Sequence, residues 1–264
     1  MKKNIVSVGV AFFLILSVSA VSCKSDEEKP VDNPPVNTNQ SVDTAFTTTL
    51  TFASLDDLEI TADQYHIDST KPVVILCHQA GSSRGEYKDI APQLNSLGFN
   101  CIALDQRSGD ASQGVNNETA LRAQKEGKGQ TFLDAEQDII AAVDFFSKAY
   151  GKNVILWGSS YSSSLVLKIA GSNTKVERVL SFSPGEYLQG VSVADEAKKV
   201  SVPAFLTSSR SEQGQTKAIF DNVSSTEKTQ FVPNGAGRHG SSALWPTEAD
   251  NAEYWDAVKV FLGV

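Results

Sequence analysis

The feature that most constrains this fold is a short apolar run that is followed, after a brief turn, by a second apolar run. Residues 154–157 are all apolar and predict a buried strand, Gly158 follows, and the mostly apolar residues 165–169 predict a buried helix. A strand that enters a helix through so short a turn is typical of a nucleophile elbow. In that motif a strained turn lifts one serine hydroxyl to the top of a parallel sheet. The alternative is a serine that only caps the helix.

Residue size within the turn indicates which serine would be the raised one. Strand and helix pass close together there, so the residues two before and two after the nucleophile must be small. Gly158 and Ser162 meet this requirement around Ser160. Ser159 would instead have Trp157 at the first of these positions, which is too large. We therefore expect Ser160 to be the nucleophile, with Ser162 standing where the usual pattern has glycine.

Strands and helices alternate along most of the chain. Residues 46–52 and 58–66 predict an antiparallel hairpin. Later strands are short apolar segments, predicted at residues 73–77, 101–104, 154–157, 179–182, 204–206 and 229–232. Helical patterns separate them, at residues 87–97, 118–125, about 133–150 and 252–261. Continuous apolar strands alternating with helices predict an α/β domain with a mostly parallel sheet covered on both faces.

The N-terminus has the pattern of an export signal. Lys2 and Lys3 precede an apolar stretch over residues 5–20, which is close to the lower limit for spanning a membrane and ends in small residues. Residues 20–23 resemble a bacterial lipoprotein box, in which Cys23 becomes the lipidated first residue. We expect a signal peptide over residues 1–22. A plain secretory cut after Ser22 is the alternative.

A polar segment separates this signal from the rest of the chain. Residues 24–44 contain almost nothing apolar and cannot bury enough surface to fold, which predicts a flexible tether. We therefore expect lipidated Cys23 and tether over 23–44, and one folded domain over 45–264. The acidic residues 24–28 favour placement in the outer membrane or at the cell surface, although ordinary solvating charge would look the same.

Composition excludes several functions. The formal net charge is −8, which argues against nucleic-acid binding and leaves the lipid anchor as the only predicted membrane contact. Three histidines and three cysteines show no metal-ligand spacing, so we expect neither a metal nor a cofactor. Cys77 and Cys101 fall at opposite ends of parallel strands, which argues against a disulfide.

A serine hydroxyl needs a histidine to take its proton and a carboxylate to orient that histidine. His239 lies in a glycine-rich loop after the last predicted strand, where it can lean over the sheet. Glu212 is the only carboxylate in the turn after strand 204–206, and Glu186 follows the preceding strand. We favour Glu212, because its loop directly precedes the strand that leads to His239, and keep Glu186 as the rival.

Two backbone N–H groups are needed to stabilise the oxyanion. One should come from Tyr161, the residue after the nucleophile. The other should come from the loop after strand 73–77, where Ala80 is our choice and Gln79 the alternative. His78 lies in the same loop, so we expect it to make an orienting hydrogen bond rather than to act as the base.

These residues carry a family resemblance. From about Lys71 to Leu262 the chain resembles α/β hydrolases, particularly compact dienelactone-hydrolase-like members, in the order of its elements and at residues 78–81, 105–109, the Ser160 turn and the His239 loop. The order serine, acid, histidine is the α/β-hydrolase order. The resemblance implies an eight-stranded, mostly parallel sheet and cleavage of esters or related acyl bonds through an acyl-enzyme. The chain departs from the usual family pattern at two positions, with Ser162 in place of glycine and a glutamate in place of the more usual aspartate as the acid.

The substrate expected from this resemblance is a small-molecule ester. A peptidase of the same fold and a non-catalytic surface lipoprotein on a hydrolase scaffold are the alternatives. Too little chain lies between residues 182 and 204 for a large lid, so we expect an open pocket beside residues 106–132 and the 183–187 turn. Arg107 near its rim could hold a substrate carboxylate, but we prefer a structural pairing with Asp105 or Glu186.

Overall fold

Eight strands form one sheet in the computed structural model, which describes residues 43–264. They are β1 Phe46–Ala53, β2 Glu59–His66, β3 Val73–Cys77, β4 Asn100–Leu104, β5 Val154–Ser159, β6 Val176–Phe182, β7 Ala204–Thr207 and β8 Lys228–Phe231. Their spatial order is β1-β2-β4-β3-β5-β6-β7-β8. Strand β2 runs antiparallel to both β1 and β4, and the other neighbours are parallel. The predicted hairpin and mostly parallel sheet are confirmed.

Seven α-helices accompany these strands within residues 43–264. They are α1 Ile90–Ser96, α2 Glu118–Glu126, α3 Glu136–Tyr150, α4 Tyr161–Ala170, α5 Val193–Ala197, α6 Gln213–Phe220 and α7 Asn251–Leu262. The helical pattern over residues 87–97 is divided between a 3₁₀ turn, Arg84–Tyr87, and α1. Helices α5 and α6 have no counterpart in the sequence prediction, because α5 has only five residues and α6 has no apolar residue before Ala218, so neither shows apolar periodicity. Among the described residues no helix is long and apolar enough to cross a membrane.

Alternate residues of the central strands pack into two apolar cores, one on each face of the sheet. In β3, Ile75 packs in the core formed with α3 and α4, whereas Leu76 packs in the core formed with α1 and α7. Leu156 and Trp157 divide in the same way in β5. This period of two with both faces covered explains why the strands are continuously apolar.

The two cysteines of the described chain are both buried and free. Val74 is the partner of Cys101 in the sheet and Leu104 is the partner of Cys77, so the thiols lie at different levels of the parallel pair. The expectation of no disulfide is confirmed. The predicted signal peptide, Cys23 and most of the tether lie outside the described residues.

Candidate active site

The turn between β5 and α4 has the geometry of a nucleophile elbow. Ser160 joins them with φ 57° and ψ −123°, a conformation that is rare for a residue with a side chain. A Cβ at Gly158 would lie 2.4 Å from the carbonyl oxygen of Ser162 and 2.6 Å from the Cα of Ser163. Glycine is therefore required there for strand and helix to pass so closely.

The serine that replaces the usual last glycine of this motif has a structural use. The hydroxyl of Ser162 donates to the carbonyl oxygen of His78 at 2.6 Å and accepts from the side-chain amide of Gln106 at 2.5 Å. It thereby ties the start of α4 to the loop after β3. Sequence reasoning identified Ser162 only as a departure from the pattern, because its partners lie far away in the chain.

His239 and Glu212 are in direct contact through Nδ1 of the imidazole and Oε1 of the carboxylate. The other carboxylate oxygen accepts from the hydroxyls of Ser209 at 2.8 Å and Ser183 at 2.9 Å. Partial burial raises the pKa of Glu212, but the hydrogen bonds from His239, Ser209 and Ser183 outweigh it and lower the pKa to about 2. Glu212 is thus held as a carboxylate that orients one nitrogen of the ring.

The loop that carries His239 lies against the residue before Ser160. The backbone N–H of Ser241 donates to the hydroxyl of Ser159 at 2.8 Å, and a Cβ at Gly240 would lie 2.4 Å from the same oxygen. Nε2 is the ring nitrogen of His239 left for a proton from the substrate side. Ser160 and His239 do not hydrogen-bond in this structure, and such contacts often close only when substrate binds.

Glu186, the rival acid, lies in a different environment. Its carboxylate accepts from the backbone N–H groups of Val193 at 2.6 Å and Ala194 at 2.9 Å, at the start of α5. These bonds fix the loop between β6 and α5. The structure therefore brings Glu212, and not Glu186, to His239.

One of the three predicted oxyanion donors already hydrogen-bonds to a protein side chain. The N–H of Gln79 donates to Oε2 of Glu86 at 2.8 Å. Tyr161 is the first residue of α4, so its N–H has no acceptor within the helix. The N–H of Ala80, an exposed residue, makes no hydrogen bond to another described residue. Within residues 43–264 the N–H groups of Ala80 and Tyr161 are therefore the two of the three that have no acceptor.

His78 is a buried structural residue of the same loop. Nδ1 lies 2.8 Å from the carbonyl oxygen of Gln79, and Nε2 lies 3.0 Å from the N–H of Gln106. Burial lowers the pKa of His78 to about 4, against the opposing effect of these hydrogen bonds, so the ring is neutral near pH 7. This is the orienting role that the sequence predicts for His78.

The position of Arg107 differs from the prediction that it lies near the rim of the pocket. Its side chain is 1% exposed and does not lie at a pocket rim. The guanidinium pairs with Asp138 at 2.7 Å and with Asp56 at 2.8 Å, not with Asp105 or Glu186. Asp105 instead pairs with Arg84 at 2.6 Å. A structural pairing is correct, but its partners come from other parts of the chain and carried no sequence signal.

Two cavities lie beside the predicted pocket region. One of about 490 Å³ is lined by residues 109–111, 116–117 and 120–121 with Gln124 and Gln130, a set that includes four amide side chains and the acidic Asp110. The other, of about 390 Å³, is lined by residues 130–133 with Tyr187 and Gln189. Phe132 of the second cavity stacks on Tyr161, with ring centroids 4.2 Å apart. Among the described residues, no cluster of His, Cys, Asp and Glu is arranged to hold a metal.

Comparison with known proteins places this chain in a family. The family model for serine aminopeptidase, S33, matches residues 68–230. A dienelactone hydrolase from Anabaena variabilis has a similar structure, with a TM-score of 0.66 at 13% identity, covering 83% of this chain and 98% of that one. An esterase from Pyrococcus furiosus, Pf2001, also gives 0.66 at 16% identity, covering 83% and 92%.

A third similar structure is larger than this chain. An acylaminoacyl peptidase from Pyrococcus horikoshii has a TM-score of 0.59 at 17% identity, covering 83% of this chain and 41% of that one. A comparison with curated protein sequences gave no match. At these identities the structural neighbours establish the fold alone, and the α/β-hydrolase fold without a large lid domain is confirmed.

Proposed function

This chain belongs to the serine aminopeptidase S33 family of α/β hydrolases, and we propose that it is a serine hydrolase that cleaves carboxylic esters. The observation that carries the proposal is the contact between His239 and Glu212, on a loop packed against the strained turn at Ser160. A histidine oriented by a carboxylate beside a raised serine is the arrangement that activates a hydroxyl as nucleophile.

The proposed reaction has two halves. The hydroxyl oxygen of Ser160 attacks the acyl carbonyl while Nε2 of His239 takes its proton, and the N–H groups of Tyr161 and Ala80 stabilise the oxyanion. Collapse of this intermediate breaks the ester bond, and the proton passes from His239 to the departing alkoxide. Water then attacks the acyl carbonyl while Nε2 of His239 takes its proton. Collapse of this second intermediate breaks the bond to the oxygen of Ser160, which regains the proton from His239 as the acid leaves. Glu212 stabilises the imidazolium in both halves.

Probe labelling and aryl-ester hydrolysis test this proposal. The purified protein should be labelled by a fluorophosphonate and should hydrolyse short-chain aryl esters. Ser160→Ala should abolish labelling and lower kcat by at least about three orders of magnitude. Ser172→Ala is the control, because Ser172 is an exposed serine just after α4 whose hydroxyl contacts only the end of that helix. Full activity in Ser160→Ala would refute the assignment.

A peptidase is the second candidate, favoured by the description of the family and by the acylaminoacyl peptidase fold. The same residues could attack an amide, so the reaction is decided by the leaving group. We expect kcat/KM to be larger for an aryl ester than for the anilide of the same acyl group. The reverse order would identify a peptidase, and absence of probe labelling would favour a non-catalytic binding protein.

Within the esters we propose neutral substrates. The guanidinium of Arg107 is buried and committed to Asp138 and Asp56, so it cannot hold a substrate carboxylate. The cavity of about 490 Å³ carries amide side chains and the acidic Asp110 but no cationic side chain, and the net charge of −8 repels anions. Paired esters that differ by one remote carboxylate test this, and a clear preference for the anionic member would contradict it.

We also propose that the enzyme is exported and anchored by a lipid at Cys23, in the outer membrane or at the cell surface. Support comes from the sequence pattern of residues 1–44 alone. Each buried methylene of an acyl chain contributes about 0.8 kcal/mol, so two or more chains would hold the protein stably. A flexible tether would leave the domain on the order of 25 Å from the anchor, within reach of substrates outside the membrane.

A further inference from the structure

Glu86 is a buried carboxyl that the proposed mechanism does not use. It belongs to the 3₁₀ turn Arg84–Tyr87 and has no exposed surface. Oε2 accepts the N–H of Gln79 at 2.8 Å, and the backbone oxygen of Glu86 accepts from the indole of Trp245 at 2.9 Å. Oε1 and the nearby hydroxyl of Ser82 have no hydrogen-bond partner among the described residues.

The backbone group that Glu86 holds directly precedes a proposed oxyanion donor. Gln79 and Ala80 are consecutive, so fixing the N–H of Gln79 restrains the peptide unit that follows it. On the other side, the loop is packed against the histidine loop, because a Cβ at Gly240 would lie 3.0 Å from the side-chain oxygen of Gln79. The segment that carries the N–H of Ala80 is therefore held from two sides.

The complete burial of this carboxyl bears on its protonation. Burial raises the pKa of Glu86, which favours the neutral acid. The hydrogen bond from the N–H of Gln79, the nearby hydroxyls and a charge on His239 act on this pKa in the opposite direction but do not outweigh burial. Tyr87 is the other titratable neighbour that interacts with it. A neutral acid can accept the N–H of Gln79 through its carbonyl oxygen without placing negative charge near the developing oxyanion.

We propose that Glu86 is a positioning residue of the oxyanion hole, which holds the N–H of Gln79 so that the N–H of Ala80 faces the reacting carbonyl. This inference rests on the proposed serine-hydrolase function. Glu86 would touch neither the substrate nor the nucleophile, and would act only through the loop. Its effect should therefore appear in the transition state more than in substrate binding.

Three substitutions of Glu86 test the proposal in the full-length protein. In Glu86→Gln the amide copies the shape and acceptor oxygen of the neutral acid, so kcat should stay within about threefold of the wild-type value. Ala removes the acceptor, and we expect kcat to fall about 10–100-fold with KM changed less than about threefold, since loss of a whole oxyanion donor costs about 10²–10³. If Glu86→Ala does not fold, Glu86→Asp replaces it, because its shorter side chain cannot reach Gln79.

The matched control is Glu186→Ala, which also removes a carboxyl from backbone N–H groups but in another loop. It should lower stability while leaving kcat nearly unchanged. The second measurement is the affinity of a trifluoromethyl ketone, which forms an oxyanion in the site. Loss of affinity in Glu86→Ala should match its loss in kcat/KM, which a general loss of stability would not produce.

Two results would overturn the inference. One is unchanged kcat and ketone affinity in Glu86→Ala, or in Glu86→Asp if that variant replaces it. The other is a Glu86→Gln variant as impaired as the truncated one. Failure of the proposed function would look different, because either the wild-type protein would show no labelling and no turnover, or Ser160→Ala would keep its activity, whatever the Glu86 variants do.

Discussion

Replacement of Arg107 by alanine should destabilise the protein strongly without changing its substrate preference. The guanidinium donates to both oxygens of Asp138, its backbone N–H donates to the same carboxylate at 2.9 Å, and it also binds Asp56 and Ser54. Arg107 is 1% exposed and Asp138 has no exposed surface. This one side chain therefore joins the loop after β4 to α3 and to the β1–β2 turn.

The magnitude follows from what remains when the guanidinium is removed. Asp138 keeps only the hydroxyl of Ser54, at 2.7 Å, and the backbone N–H at residue 107 as donors to a fully buried carboxylate. Breaking one side of a buried ion pair costs about 3–5 kcal/mol of unfolding free energy. In a domain of this size each kcal/mol lowers Tm by about 2–4 °C, so a drop of roughly 6–20 °C is expected.

The loss should also depend on pH in a defined direction. Burial raises the pKa of Asp138, and the hydrogen bonds from Arg107 oppose that effect. Without Arg107 the pKa of Asp138 rises further. A carboxyl with a raised pKa in the folded state stabilises at low pH and loses that contribution as pH increases. The difference in Tm between wild type and Arg107→Ala should therefore be larger at pH 8 than at pH 5.

Thermal and urea unfolding at several pH values measure these quantities, with a double-mutant cycle as control. Arg107→Met combined with Asp138→Asn removes both charges, so it should be more stable than Arg107→Ala. An unchanged Tm in Arg107→Ala, with selective loss of rate on anionic esters, would refute the reasoning. It would instead place Arg107 in the substrate site.

Three further predictions concern the acid, its protonation and the anchor. Glu212→Gln should lower kcat on an aryl ester about 10³–10⁴-fold, whereas Glu186→Gln should change it no more than severalfold; the opposite ranking would make Glu186 the acid. Because the pKa of Glu212 falls from 4.5 to about 2 on folding, its contribution to stability should be present above pH 4.5 and lost as pH falls towards 2. Glu212→Gln should lack that part of the Tm–pH dependence. Cys23→Ala should move the protein from membrane to soluble fractions, and wild-type protein found only in soluble form with an unmodified Cys23 would exclude the anchor.

The parts of this protein that sequence determines are those set by local sterics and periodicity. Glycine at position 158 and a small residue at 162 are needed wherever a strand enters a helix so tightly, and they single out Ser160 without knowledge of the fold. Continuous apolar strands likewise require a sheet covered on both faces. The elbow and a mostly parallel sheet covered on both faces could therefore be predicted from the chain alone, while the number of eight strands came from the family resemblance.

Tertiary structure decided which polar groups meet. Arg107 finds Asp138 and Asp56 rather than its sequence neighbour Asp105, because the β1–β2 turn and α3 come together beside β4 only in the folded chain. His239 finds Glu212 rather than Glu186 because Glu186 is committed to the start of α5. Glu86 reaches back to Gln79 through a 3₁₀ turn that local pattern did not reveal. Which polar groups pair depends on their distance and burial in three dimensions. Spacing along the sequence contains no information on either.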